Sequence, residues 1–373
     1  MMPIHEKLMI QSVKAYAVAL PLTKPIKMAH AVFETVENVI VRIESEDGFV
    51  GWGEAASAPS LTGETWQGMV SLIEGYIAPL MVGRDARLRS SLMSHIGAHI
   101  FGATGSISAV EMALIDLLGH RYNLPFAMLI GGMCRDHVEP MWILGNGSME
   151  ADLADAQFRH GKGYRSFKVK GGTQSIDQEI ESTMRLRDVL GQDVKICIDA
   201  NSGYDLAKAR RYISATSAAR VEFIEQPFPR QDIASLKALA ADGSIPICAD
   251  QSVHDIADIH LQSTCGVSGI ALKLNKLGGV TAALHAASIC QENGMKIIVA
   301  AKVAESSIAS AAIMHLASVI PSVEWGVSLT HPYLAVDLVK QPLELKDGKS
   351  FLGNKPGLGI DVDVDNLDRY RIR

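Results

Sequence analysis

From about residue 139 the chain alternates between a short apolar run and a helical stretch rich in Ala, Leu, Arg and Glu. Eight runs read as strands: "PMWILGNG", "SFKVKGG", "VKICIDANSGY", "VEFIEQPF", "IPICADQS", "GIALKLNKLGG", "KIIVAAKVAES" and "VEWGVSL". Strand and helix in turn over about 190 residues mean βα units and a parallel sheet, and eight such units suit a closed (β/α)₈ barrel. The competing arrangement is an open doubly wound sheet. No strand is followed by G-x-G-x-x-G, so nothing supports its dinucleotide-binding form.

Before that texture begins, "VENVIVRIESEDGFVGWGEA" alternates into an Asp47-Gly48 turn and out again, as a hairpin does. In "SISAVEMALIDLLGHRY" the apolar residues Ile107, Val110, Leu114, Leu117 and Leu118 recur at helical spacing, and "NLP" ends the helix. The expected organisation is an α+β unit over residues 1–130 and the barrel over 131–339. Residues 340–373 are irregular and read as a segment returning to the first unit.

The 373 residues are 48% hydrophobic and 20% charged, ordinary for a globular chain with more than one core. Net charge is −6 with a pI of about 6.1 and no run of basic residues, which excludes the usual footprint of a nucleic-acid or anionic-membrane binder. A small molecule is the expected partner. No window reaches a membrane span and the start has no leader pattern, so a cytoplasmic location is expected. The five cysteines are odd in number and without C-x-x-C, and read as reduced packing residues.

Polar residues fall at one phase of the units, the last turn of a strand. Lys168 and Lys170 end the second strand, Asp199 with Asn201 the third, Glu225 the fourth, Asp250 the fifth and Lys273 the sixth. Alternation along a strand puts Lys168 and Lys170 on one face and Phe167 and Val169 on the other. With the apolar pair toward the helices, both lysines enter the barrel mouth, where barrel enzymes build their sites. Three neighbouring carboxylates repel unless cations sit among them. An ion-pair network is one solution. A bound divalent ion is the other, and an all-oxygen set with room for substrate suits Mg²⁺ or Mn²⁺ better than zinc. Such an ion beside lysines has a use: it stabilises the enediolate formed when a proton α to a carboxylate is removed. Lys168 and the ion lower the pKa of Lys170 toward that of a base, and Lys273 faces the substrate from the other side.

The run "KVK", "DANSGY", "EQPF", "ADQS", "LKLNKLGG", preceded by "GWGEA", resembles the enolase superfamily, in its muconate lactonizing enzyme subgroup, over nearly the whole chain. The resemblance implies a TIM-type barrel with an N-terminal α+β capping domain, and Mg²⁺ ligated by Asp199, Glu225 and Asp250. It implies that Lys170 and Lys273 are the acid/base pair, that Lys168 tunes Lys170 and touches the substrate carboxylate, and that Asn201 stands beside the ligands. It further implies two specificity loops, around Lys24 to Val32 and Ala55 to Thr65, and a homo-oligomer, dimer or octamer.

Four features depart from or extend that pattern. Asp250 is followed by Gln251 where the family usually has Glu, which removes a charge near Lys273. Lys302 ends the seventh strand, either to meet a second acidic group of the substrate or to reach solvent; Glu305 could pair with it. On the eighth strand Glu324 occupies the place of a glutamate in muconate cycloisomerases, and Trp325 could wall the pocket. Of the twelve histidines only His30, on a specificity loop, is a candidate; His285 and His315 read as structural. Asp-x-Asp is missing from the eighth strand, which counts against dipeptide epimerase activity. No histidine ends the seventh, which disfavours the mandelate racemase subgroup. The expected function is a Mg²⁺-dependent isomerase of a small carboxylate, a cycloisomerase of the muconate type or a racemase or epimerase of an amino-acid derivative. A syn-dehydratase is the alternative, and a non-catalytic carboxylate-binding barrel is the reading from another class.

Overall fold

The computed structural model describes residues 6–28 and 31–373. Strands β1 (Ile10–Met28), β2 (Ala31–Ser45) and β3 (Val50–Ala56) form an antiparallel N-terminal sheet. The β2–β3 turn closes at Gly48, whose φ of +82° lies in the left-handed region that glycine adopts without strain. Helix α1 (Thr104–Tyr122) lies across this sheet and is buried on nearly every side, and it stops at Asn123 with φ of +54°, two residues before Pro125. It packs closely because β3 presents glycines to it. A Cβ on Gly51 would stand 2.1 Å from the Ala113 carbonyl oxygen, and one on Gly53 2.0 Å from that of Ala109. Any larger residue at Gly51 or Gly53 would push the helix off the strand.

Eight parallel strands close into a barrel: β4 (Pro140–Leu144), β5 (Ser166–Lys170), β6 (Lys195–Asp199), β7 (Ile224–Glu225), β8 (Ile247–Ala249), β9 (Gly269–Leu272), β10 (Lys296–Ala300) and β11 (Val327–Ser328). Side chains of one parity pack outward under the helices. Phe167 is fully buried there, which contributes about 2–3 kcal/mol. The other parity fills the inside, where Met141, Cys197, Phe223, Cys248, Ala271, Ile298 and Trp325 meet. Parallel register aligns the strand ends: Lys170 lies opposite Asp199, and Asp199 opposite Glu225. One row of charged groups results.

The sheet is joined to the barrel by Glu54 of β3, which is 1% exposed. Its carboxylate accepts from Asn38 Nδ2 (2.8 Å), Ser306 N (2.9 Å), Ser306 Oγ (2.6 Å) and Ala309 N (3.0 Å), at the start of helix α3 (Ser307–Val319). A carboxylate there satisfies donors that the helix cannot, and meets the positive end of its dipole. The end of the chain returns to β1: Ala19 N donates to the Tyr370 carbonyl (3.0 Å) and Ile372 N to that of Ala17 (2.9 Å). The five cysteines are unpaired and all but Cys134 are buried. No helix among the described residues is long and apolar enough to cross a membrane.

Candidate active site

The row of strand ends carries matched charges. Lys168 donates to Glu225 Oε2. Lys170 Nζ lies 2.6 Å from Asp199 Oδ2 and 3.1 Å from Asn201 Oδ1. Lys273 Nζ lies 2.6 Å from Asp250 Oδ2. Asp199, Glu225 and Asp250 are each no more than 2% exposed, so their charges are worth far more than on a surface. Burial opposes the charge on Lys168, but the carboxylates of Glu225 and Asp199 outweigh it and hold the ammonium protonated. Burial likewise opposes ionisation of Asp250, and Lys273 and Lys276 overcome it, holding the carboxyl well below the usual range. Glu225, between two other acids, is pushed up by burial and by Asp199. That crowding is the cost an added cation would relieve.

Among the described residues no three acid, cysteine or histidine side chains are gathered round one point as they stand, because each of the three carboxylates is turned to a lysine. Their chemistry nevertheless fits a hard divalent ion: all donors are carboxylate oxygens, and they come from three adjacent strand ends. The ammonium groups hold places on these oxygens that an ion would take.

A cavity of about 650 Å³ opens over the row, and Lys168, Lys170, Asn201, Gln251, Lys273 and Lys302 all line it. Gln251 borders it, and its buried Oε1 has no hydrogen-bond partner. The loop expected to cover the mouth does reach it on one side: Ser60 and Leu61 border the cavity, and the Leu61 carbonyl is 2.9 Å from His254 Nε2. On the other side Lys24 Nζ is 3.0 Å from Asp155 Oδ2. His30 lies outside the described residues.

Two expected residues are elsewhere. Glu324 and Trp325 precede β11 instead of following it, so they sit at the opposite end of the barrel. Glu324 Oε2 accepts from Ile297 N at the start of β10 (3.1 Å), and Trp325 is buried in the interior, stacked on Phe223 with ring centroids 4.2 Å apart. They border a second cavity of about 530 Å³ under the barrel, away from the row of lysines and acids. The strand proper is the short Val327–Ser328, and the residues it delivers to the end that carries the row of lysines and acids are Ser328 and Thr330.

Sequence reading also missed three contributors. Lys276, in the single turn α2 (Leu274–Leu277), is wholly buried and lies 2.7 Å from Asp250 Oδ1. Its signal was the second lysine of "LKLNKLGG", three residues after Lys273 and so on the same side of a helical turn. Gln226 Oε1 accepts from Asp250 N (3.0 Å) and Ser252 N (3.1 Å), fixing the chain on both sides of Gln251. His254 tethers the covering loop. His285 is exposed, while His315 is buried against Phe126 and kept neutral, its pKa lowered to about 4 by burial.

Comparison with known proteins agrees with this geometry. Residues 10–131 match the mandelate racemase / muconate lactonizing enzyme N-terminal domain family, and residues 150–366 the enolase C-terminal domain-like family. A chloromuconate cycloisomerase of Pseudomonas putida is 30% identical, over 97% of this chain and 98% of its own length. Muconate cycloisomerase 1 of Pseudomonas putida is also 30% identical, over 94% of each chain. The crystal structure of muconate lactonizing enzyme from Pseudomonas fluorescens, complexed with muconolactone, superposes with a TM-score of 0.94 at 28% identity, covering 98% of this chain and 100% of that one. This chain belongs to the enolase superfamily, within its muconate lactonizing enzyme subgroup, and is one of that superfamily's isomerases.

Proposed function

We propose that the enzyme moves a proton at the carbon α to a substrate carboxylate, with Lys170 and Lys273 as the two groups that take and return it. The supporting observation is their placement: Lys170 ends β5 and Lys273 follows β9, four strands apart round the barrel, and both line one cavity. Lys168 stays protonated beside them and offers a fixed positive charge to the substrate carboxylate. The carboxylates of Asp199, Glu225 and Asp250 would hold Mg²⁺, with Mn²⁺ as a substitute. The ion would supply charge neutralisation at the carboxylate oxygens as the α proton leaves.

Of the reactions open to this arrangement, cycloisomerisation of a muconate-type diacid is the one we assign. There the ring-closing carboxylate adds across the double bond, and a lysine delivers the proton that completes the α carbon. The relatives are cycloisomerases of this kind. Opposed lysines also suit racemisation or epimerisation, in which one takes the α proton and the other returns it on the opposite face.

Exchange in D₂O with Mg²⁺ tests the proposal, using muconates and their lactones, N-acylated amino acids and hydroxy acids. Deuterium should enter the α position of a lactone or its diacid, and Lys170→Ala or Lys273→Ala should abolish it, depending on which lysine faces that proton. Exchange in an amino-acid derivative with inversion, needing both lysines, would replace cycloisomerisation by epimerisation. Exchange in no compound, with Mg²⁺ binding confirmed, would overturn the assignment.

A further inference from the structure

Strand β9 ends at Leu272, so Lys273 stands beyond the last paired residue and its place depends on the turn that follows. In that turn the Lys273 carbonyl accepts from Lys276 N and Leu277 N (3.2 Å each), and the Leu274 carbonyl from Gly278 N and Gly279 N (3.0 Å each). Asn275 adds no anchor: its side chain is buried, and neither polar atom of its amide has a hydrogen-bond partner among the described residues. The turn passes directly into the helix Val280–Glu292, whose first N–H groups need acceptors. Gly279 stands at the N-cap and has no side chain to offer one.

The acceptor comes from the N-terminal unit. Glu111, on helix α1 and 2% exposed, takes Thr281 N on Oε2 (3.2 Å) and the Thr281 hydroxyl on Oε1. The positive end of the helix dipole and these two bonds offset the cost of burying the carboxylate. The fit leaves no slack. A Cβ on Gly279 would stand 2.2 Å from Glu111 Oε2, and the φ of +121° there suits glycine. Helix α1 is itself set close against β3 at Gly51 and Gly53. One short span of chain therefore carries Lys273, then Lys276, then a clasp on the N-terminal unit.

We infer that Glu111 is a positioning residue for Lys273: through this carboxylate the N-terminal unit fixes the turn that sets the lysine against Asp250 and the cavity. The inference rests on the proposed role of Lys273 and adds to it a residue that does not itself line the cavity. It gives the N-terminal unit a part in the chemistry besides bordering the mouth. The lever is large, because a reacting group misplaced by about 1 Å can lose about 100-fold in rate.

Two readouts on Glu111→Met, which keeps length and removes both acceptors, test it. The first is the rate of reductive methylation of each lysine in the metal-free protein, read by mass spectrometry, with Lys170 as the control inside the same molecule. Lys273 should label at least about threefold faster than in wild type while Lys170 stays unchanged, since local opening exposes only what the opened segment carries. The second is turnover of a muconate with Mg²⁺. There kcat should fall about tenfold or more with KM within about twofold, because a displaced lysine weakens the transition state rather than substrate binding. Glu111→Gln can still accept from Thr281 N and donate to its hydroxyl, so it should restore most of both. Should Glu111→Met fail to fold, Thr281→Val, which loses only the hydroxyl bond at an exposed residue, should show the same changes at smaller size. A general loosening would raise both lysines alike, leave their ratio unchanged and overturn the inference, as would an unchanged kcat in an active enzyme. A wild-type protein that turns over no carboxylate would overturn the proposed function instead, and the labelling ratio still decides whether Glu111 positions Lys273.

Discussion

Asp250 is gripped on both oxygens, by Lys273 at 2.6 Å from Oδ2 and by Lys276 at 2.7 Å from Oδ1. The two lysines differ in what surrounds them. Lys273 lines the cavity, so its ammonium can turn to substrate, whereas Lys276 has no exposure at all. Lys276 is therefore placed to position Asp250, and under the proposed function Lys273 is the one that meets substrate.

Removing Lys276 leaves a buried carboxylate oxygen and the Asp250 carbonyl without their donor. Lys276→Met should destabilise the metal-free protein by about 3–5 kcal/mol. Adding Mg²⁺ should recover more stability in the variant than in wild type, because the ion supplies the missing positive charge. Urea unfolding with chelator and with Mg²⁺ reads both; equal curves for variant and wild type would dismiss the positioning role.

Mg²⁺ should raise the melting temperature of wild-type protein, since a ligand bound only by the folded state stabilises it. Asp250→Asn should cut that rise sharply, having lost one of three anionic donors. It also leaves Lys273 and Lys276 without their countercharge, so the metal-free variant should melt below wild type. Scanning calorimetry with and without chelator measures each shift, and a full Mg²⁺ response in Asp250→Asn would remove it from the ligand set.

Glu54 accepts four hydrogen bonds and donates none. Glu54→Gln replaces one acceptor oxygen by an amide nitrogen that meets donors, so at least one of the buried bonds to that oxygen is lost. The expected loss is about 2–4 kcal/mol. Denaturant unfolding would show it, and a neutral result would mean that the junction can rearrange.

Two buried acids and one buried histidine set a pH profile. Burial raises Glu54 to about 7 and Glu305 to about 8, both from 4.5. The folded state keeps their protons longer than the unfolded chain does, so their contribution is complete below pH 4.5 and lost as pH rises through 7 and 8. His315 works in the opposite sense: burial lowers it to about 4, so stability gained from it grows with pH up to about 6.5, the value of an unperturbed histidine. The effects oppose each other below pH 6.5, and between pH 6.5 and 8 the acids prevail. Melting temperature should fall from pH 6.5 to 8, less steeply in Glu305→Gln. A flat profile over that interval would contradict the assignment.

The barrel and its row of charges were legible because period and phase are local properties. "KVK", the strand-end acids and Lys273 each stand at a point where a strand runs out, and a parallel barrel sends every such point to one rim. What stayed hidden depended on where a strand begins. In "VEWGVSL" the apolar run starts at Val323, yet β11 is only Val327–Ser328, and Trp325 is apolar because it fills the interior below the site. A displacement of a few residues moved Glu324 and Trp325 from one rim to the other. The role of Glu54 was illegible for another reason: its four donors come from Asn38, Ser306 and Ala309, and only the folded chain brings residues so distant in sequence together.

The stacked pair of Trp325 and Phe223 acts as a stopper. Trp325 fits only because Gly269 has no side chain, since a Cβ there would stand 2.4 Å from its ring. With that end closed, traffic through the protein is one-way-in and same-way-out. Under the proposed function, substrate, metal ion and product would share the doorway bordered by Leu61, which the contact between the Leu61 carbonyl and His254 Nε2 holds in place.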